Sequence, residues 1–277
     1  MAIDLSSLPS LRDVVASNNL RAEKKLGQNF ILDQNITDKI VKAAGDISSC
    51  HAIEIGPGPG GLTRSLLGAG AQSVTAIEYD DRAITALQSL VDAAQGTLRV
   101  IKEDALNVDC TTLCPSPRVI VANLPYNIST VLLLRWLRDL YHNPLSYERL
   151  ILMFQKEVAE RIVAKPHNKD YGRLSVMTQW LAEARIVFDV PPHIFVPPPK
   201  VTSSIVEIIP RRDRADKAQW EKMESILASG FGQRRKMIRS SLSNYQTYLD
   251  RASIDPTLRA ENLTVNDYIH IAEAMND

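Results

Sequence analysis

This chain carries no net charge: 32 Lys and Arg offset 32 Asp and Glu. A global field therefore argues neither for nor against a polyanionic partner, and only local clustering of charge can speak. Long apolar runs are missing as well. No stretch approaches the roughly eighteen residues that a membrane-crossing helix needs, so no membrane span is expected. Cysteine is scarce, at Cys50, Cys110 and Cys114. An odd count without Cys-x-x-Cys spacing argues against a disulfide frame or thiolate zinc site and reads as reduced thiols in a cytoplasmic protein. The five histidines are scattered without metal-ligand spacing, so no metal is expected. The N-terminus lacks a basic stretch ahead of an apolar core, and Asp4 and Asp13 oppose a transit peptide. No internal repeat or low-complexity tract is visible.

What is there is an ordinary soluble globular composition, 277 residues long and 45% hydrophobic. That length suits one large domain, or a large one with a small one. The most informative segment is Asn123-Leu124-Pro125-Tyr126. It follows Val119-Ile120-Val121-Ala122, an apolar run that reads as a buried parallel strand. At the tip of such a strand, the Asn123 side-chain oxygen and the Leu124 carbonyl can both accept from one amino group. The Tyr126 ring can stack on the flat base that carries it. A nucleobase amine is a poor nucleophile because its lone pair is delocalised into the ring. Two acceptors on its protons favour the tetrahedral geometry in which that pair is released. The arrangement suits methyl transfer to a base nitrogen, although Asn and Pro here also suit a plain turn.

Upstream context bears on that choice. His51-Ala-Ile-Glu-Ile55 reads as a strand and runs into Gly56-Pro57-Gly58-Pro59-Gly60-Gly61, followed by a helical pattern. Strand, glycine loop and helix open a doubly wound sheet whose ligand sits at the carboxyl ends of the strands. The loop satisfies G-x-G-x-x-G, so a dinucleotide must be weighed. Two features lean towards a sulfonium cofactor instead. Glu54 can orient the loop and meet a cation, and the prolines remove amide donors that a pyrophosphate would want. A second strand, Ser73-Val-Thr-Ala-Ile77, ends in Glu78, placed to accept from both hydroxyls of an adenosine ribose. A third, Leu98-Arg-Val-Ile101, leads to Asp104, which can accept from an adenine amine or simply cap a helix. The glycine loop, Glu78, Asp104 and Asn123 thus fall at four successive strand ends.

These residues and others carry a resemblance. Leu26-Gly-Gln-Asn-Phe-Ile31, Glu54-Ile-Gly-Pro-Gly58, Glu78, Glu103-Asp-Ala105, Asn123-Leu-Pro-Tyr-Asn-Ile-Ser129, Gln155-Lys-Glu157, Tyr171-Gly-Arg-Leu-Ser175, Phe195-Val-Pro-Pro-Pro-Lys-Val201 and Phe231-Gly-Gln-Arg-Arg-Lys236 occur in this order. From about residue 21 onward the chain resembles the KsgA (RsmA) family of ribosomal RNA adenine dimethyltransferases. The resemblance implies an α/β, Rossmann-like class I methyltransferase sheet of seven strands. It implies S-adenosyl-L-methionine as methyl donor, with S-adenosyl-L-homocysteine as product. The implied acceptors are two adjacent adenosines in the 3'-terminal hairpin loop of small-subunit (16S) ribosomal RNA, within an immature small subunit. Carried over by position, the cofactor contacts are Asn29, Ile31, Gly56, Glu78, Asp104 and Asn123, with Gln28, Glu54, Gly58 and Ala105 beside them in the same motifs. Ile31 stands where the family usually has Leu. Asn123, Leu124, Pro125 and Tyr126 become the catalytic set, and Phe195 is the candidate for the opposite face of the target base.

The expected organisation is a catalytic domain over residues 1–209, with an N-terminal helical extension, and a small all-helical C-terminal domain over 210–277. Helices are predicted over about 33–44, 217–228 and 234–241, and a last one capped by Thr264 with Asp267 three residues on. Residues 211–239 hold nine Lys/Arg against four Asp/Glu, the most basic surface in the chain. Within it Arg234, Arg235, Lys236 and Arg239 are the expected RNA contacts. A monomer is the default. Two other functions stay open: an Erm-type enzyme acting on large-subunit ribosomal RNA, and a non-catalytic RNA-binding assembly factor. The 195–201 and 231–236 segments favour the small-subunit enzyme, and an intact Asn123-Leu-Pro-Tyr126 with Glu78 favours retained catalysis.

Overall fold

A computed structural model describes residues 5, 7–20 and 28–276. Leu26 and Gly27 of the first motif lie outside the described residues. Helix α1 (Leu11–Ser17) starts at Ser10, whose hydroxyl accepts from the Asp13 amide. A two-residue strand, β1 (Phe30–Ile31), leads to α2 (Gln34–Lys42), capped by Asp33 through the Asn35 amide. Strands and helices then alternate as β2 (His51–Ile55), α3 (Gly61–Gly68), β3 (Ser73–Glu78), α4 (Asp81–Ala93) and β4 (Leu98–Lys102). They continue as β5 (Arg118–Asn123), α5 (Ser129–His142), β6 (Arg149–Gln155), α6 (Lys156–Val163), α7 (Arg173–Leu181) and β7 (Ala182–Val190). Short β8 (Phe195–Val196) and long β9 (Ser203–Pro210) close the sheet region. Four helices follow: α8 (Trp220–Gly232), α9 (Ile238–Ser241), α10 (Gln246–Arg251) and α11 (Val265–Ala274).

Seven strands form one sheet in the order β4-β3-β2-β5-β6-β9-β7. β2 pairs in parallel with β3 on one side and β5 on the other, while β9 runs antiparallel to both β6 and β7. The chain therefore reverses its direction of travel across the sheet between β2 and β5, and ligands of such sheets bind outside the carboxyl ends at this point. Parallel strands covered on both faces need near-continuous apolar runs, and 119–122 supplies one in which every residue is buried. Alternate residues serve opposite faces: Val119 and Val121 pack with Ile40, Leu66 and Leu87 under α2, α3 and α4. Ile120 and Ala122 pack with Leu133, Trp136 and Trp180 under α5 and α7.

The division near residue 210 coincides with the end of β9, but the helices beyond it have no core of their own. Trp220, Met223, Ile226, Tyr268 and Ile271 belong to the same apolar cluster as Trp136, Tyr171 and Trp180. Ring centroids of Trp180 and Trp220 lie 6.1 Å apart, as do those of Tyr171 and Phe231. The helix expected over 234–241 is not continuous. α8 runs on to Gly232, residues 233–236 form a turn, and α9 has four residues only. The Ile238 and Arg239 amides donate to the Leu258 and Pro256 carbonyls, so tertiary bonds take the donors that a longer helix would use. The capping box at Thr264 is present, with reciprocal bonds to Asp267.

Candidate active site

A cleft of about 350 Å³ opens at the carboxyl ends of β2, β3 and β5. Its lining brings together Gln28, Asn29, Ile31, Glu54, Gly56, Gly58, Glu78, Asp104, Ala105, Asn123, Leu124, Pro125 and Tyr126. These come from five separate stretches of sequence, gathered by the strand order.

The glycine loop is built for close approach. Gly58 adopts φ +52°, and a Cβ there would meet the Phe30 ring at 2.9 Å. A Cβ at Gly61 would lie 2.9 Å from the Ile31 carbonyl. The loop therefore seats directly under the β1 segment, which forms one wall. Its amides are already committed: Gly56 donates to the Ile77 carbonyl, Gly58 to Glu78 and Gly60 to the Pro57 carbonyl. Pro57 and Pro59 have none to give. A pyrophosphate would find no open donor between 56 and 60, so the loop fits a phosphate-free nucleoside cofactor better than a dinucleotide.

Glu78 ends β3 and is 7% exposed. Its carboxylate accepts from the Gly58 amide at 3.2 Å, Tyr79 at 2.8 Å and Asp80 at 2.9 Å. Burial pushes its pKa up, and those three amides pull it back. About four lone-pair sites exist on a carboxylate, so a ribose hydroxyl finds room, and the long Gly58 contact can yield to a second. Asp80, which sequence reading missed, is the second acid of this strand tip. It caps α4 through the Arg82 amide, accepts from Gln28 Nε2 at 3.0 Å and pairs with Arg82 at 2.6 Å. The Arg82 side chain, ahead of lesser causes, holds its pKa down to about 2. Glu78-x-Asp80 was the available signal, and Asp80 ties Gln28 onto the cleft wall.

Glu54 is more enclosed than Glu78. It is 1% exposed and accepts from the Thr63 hydroxyl at 2.7 Å. Burial pushes its pKa up to about 8, so near pH 7 it is mostly neutral. Its bond to Thr63 ties the loop to α3. Asp104 caps the short turn Ala105–Asn107 through the Leu106 amide at 2.9 Å. One oxygen does the capping, and the other has no protein partner among the described residues, so the two readings of this aspartate are compatible.

Asn123 ends β5 and donates through Nδ2 to the Asn29 carbonyl at 3.0 Å. That bond decides which end of the amide is which and leaves Oδ1 as the acceptor. Leu124 is buried, anchoring the carbonyl that precedes Pro125. The Pro125 carbonyl accepts from the Ile128 amide at 3.1 Å, and the Tyr126 carbonyl from the Ser129 hydroxyl at 3.1 Å. The Tyr126 phenol bonds to Ser203 at 2.7 Å, and burial raises its pKa.

Phe195 lies apart from the other expected site residues. It is 2% exposed, does not line the cleft, and packs with Ile40 and Leu62 in the apolar cluster. β8 pairs antiparallel with β1, setting Phe195 opposite Ile31. In this arrangement the ring supports the cleft wall from behind. The 30–31 and 195–196 pairing was invisible to periodicity, being only two residues long. The basic residues lie away from the cleft lining. Arg234 pairs with Glu261 at 2.6 Å and donates to the Asn168 carbonyl. Arg235, Lys236 and Arg239 are exposed. Arg235 and Arg239 do not share a helical face, because the 233–236 turn intervenes.

Comparison with known proteins bears on the same residues. The model of the family described as ribosomal RNA adenine dimethylase matches residues 19–277. The chain belongs to this family. A relative in Paramagnetospirillum magneticum, named ribosomal RNA small subunit methyltransferase A, is 50% identical over 275 residues, covering 98% of this chain and 96% of its own. Its namesake in Brucella canis is 50% identical over 279 residues, covering 99% of each. Among solved structures, a dimethyladenosine transferase from Plasmodium falciparum superposes with a TM-score of 0.72 at 29% identity, over 86% of this chain and 94% of that one. The 23S rRNA methyltransferase ErmE superposes with a TM-score of 0.67 at 26% identity, over 90% of this chain and 100% of that one. The fold is thus that of class I methyltransferases, and the family match takes in the sheet, the cleft and the C-terminal helices of this adenine dimethylase.

Proposed function

We propose that this protein dimethylates the exocyclic amines of two adjacent adenosines in the 3'-terminal hairpin loop of small-subunit ribosomal RNA, within an immature small subunit, and acts as a cytoplasmic monomer. The observation that carries the chemistry is the convergence of Glu78, Asp104, Asn123 and Tyr126 on one cleft whose glycine loop has spent its amides. Those residues fit S-adenosyl-L-methionine: Glu78 for the ribose diol, the free oxygen of Asp104 for the adenine amine, and Gly56 with Ile31 and Asn29 for the chain between them. When bound, that cofactor supplies an electrophilic methyl group.

The protein's part is to present the amine. Asn123 Oδ1 and the Leu124 carbonyl accept hydrogen bonds from its N–H groups, which favours the tetrahedral nitrogen and frees the lone pair. The contacts strengthen as that geometry develops, so they lower the barrier more than they aid binding. Tyr126 lies under the target base, where stacking contributes roughly 1–3 kcal/mol per base. A neutral amine needs no general base before transfer. Arg235, Lys236 and Arg239 add sequence-independent attraction for phosphates. No helix among the described residues is long and apolar enough to cross a membrane.

A large-subunit substrate is the second reading, favoured by the likeness to ErmE. The 50% identity to relatives named for the small subunit outweighs it. Tritium transfer from labelled cofactor to immature small subunits, large subunits and naked RNA separates the two. Label in small-subunit RNA is expected; label confined to the large-subunit RNA would overturn the proposal, and no label anywhere would point to an assembly factor.

A further inference from the structure

Tyr126 is held at both ends. Its main-chain carbonyl is fixed by Ser129, and its phenol shares a 2.7 Å hydrogen bond with the hydroxyl of Ser203. Ser203 opens β9, opposite Gln155 of β6 on one side and Val190 of β7 on the other. It is fully buried and does not line the cleft. A hydroxyl placed there costs free energy unless it is bonded, and among the described residues its side chain bonds only to Tyr126. The next serine is occupied elsewhere: Ser204 donates to Asp189, which pairs with Lys156. The two serines thus serve separate networks, and the Ser203 contact is private to the tyrosine.

A tyrosine ring has two side-chain torsions. Anchored only at its backbone, it would sample rotamers and tilts, and a base stacking on it would have to order it first. Anchored at the phenol by β9, which is paired on both sides by β6 and β7, it presents one face at one angle. Ser203 itself is buried, so water cannot reach its hydroxyl from the sheet side.

We propose that Ser203 is a positioning residue for methyl transfer, fixing the tilt of the Tyr126 ring on which the target adenine stacks. This rests on the reading of Tyr126 as the stacking platform. Ser203 touches neither substrate nor cofactor and acts only through the phenol.

The test is single-turnover methyl transfer to immature small subunits by Ser203→Ala, Tyr126→Phe and the double variant, with cofactor and particle affinities measured alongside. A neutral hydrogen bond of ordinary strength corresponds to a loss of about three- to tenfold in rate for each single variant. Both affinities should stay within about twofold, and the double variant should be no slower than either single one, because both remove the same bond. Tyr126→Phe breaks that bond without touching the buried strand. A loss confined to Ser203→Ala with a lowered melting temperature would mean packing alone, and would overturn the proposal. Additive losses, or wild-type rates in both singles, would overturn it too. Tyr126→Ala separates the two levels: if it transfers at the wild-type rate, the stacking role itself is wrong. If it is slow while Tyr126→Phe and Ser203→Ala are not, stacking stands and Ser203 has no part in it.

Discussion

At the residue scale, two buried carboxylates in one cleft have opposite duties. Burial raises the pKa of both, but Glu78 meets three backbone amides that oppose the rise by favouring its charged form, whereas Glu54 meets one hydroxyl. Glu78→Ala removes a charged acceptor from the ribose, and a hydrogen bond to a charged group contributes about 1.5–3 kcal/mol. Isothermal titration should therefore show S-adenosylmethionine affinity weakened roughly tenfold to a hundredfold; unchanged affinity would remove Glu78 from the site. Glu54 leads to a pH effect. Its folded pKa of about 8 lies above the ordinary 4.5, so between those values the native state holds a proton that the unfolded chain has released. Stability then falls as pH rises through that window and levels off above it. Glu54→Gln keeps an oxygen for Thr63 and removes the slope. Its melting temperature should match wild type near pH 5 and exceed it increasingly towards pH 8.5. A difference that does not change with pH would mean that Glu54 ionises normally.

At the scale of elements, strand ends carry the account. The strands β2, β3, β4 and β5 were legible because a buried parallel strand is a short apolar run and its tip carries a lone polar residue. His51–Ile55 was read to the residue, and the others to within one or two. The C-terminal helices were less legible. Residues 234–241 carry a helical composition, but the amides of Ile238 and Arg239 bond to the 256–258 segment, and no local pattern announces a bond of that kind. The pairing that buries Phe195 was illegible for the same reason, since its partner strand is distant in sequence and two residues long. The basic cluster is therefore a turn running into α9, with Arg234 tied to Glu261 and Arg235, Lys236 and Arg239 exposed as the proposed phosphate contacts. Reversing those three to Glu should flatten the salt dependence of RNA binding by roughly two log–log units, at about 0.7 per single-strand phosphate contact. Cofactor-induced thermal stabilisation should not change. An unaltered slope would make this turn a merely solvated surface.

At the scale of the whole molecule, the sheet and the C-terminal helices are one packed body. The sequence placed a boundary near residue 210, where Pro210-Arg-Arg-Asp-Arg214 interrupts the apolar pattern. It could not tell that Trp220 and Phe231 would complete the rings around Trp180 and Tyr171, because aromatic spacing within a helix does not name its partner. A chain ending at Pro210 would expose that cluster. It should lose its cooperative thermal transition and bind 8-anilinonaphthalene sulfonate, the behaviour of a collapsed but unpacked state. A sharp transition close to that of the full chain would show that the sheet is self-sufficient.

The central claim is that the tip of β5 presents an adenine amine for methylation. Digestion of small-subunit ribosomal RNA after a single turnover, followed by mass spectrometry of the nucleosides and their positions, tests it most directly when wild type and Asn123→Ala are compared. The account predicts N6-methylated and N6,N6-dimethylated adenosine at two adjacent positions for wild type. It predicts a rate at least about a hundredfold lower for Asn123→Ala, the scale seen when one donor to a developing transition-state charge is removed, with cofactor affinity reduced only modestly. Methyl groups on other nucleotides, or an Asn123→Ala rate within a few-fold of wild type, would contradict it.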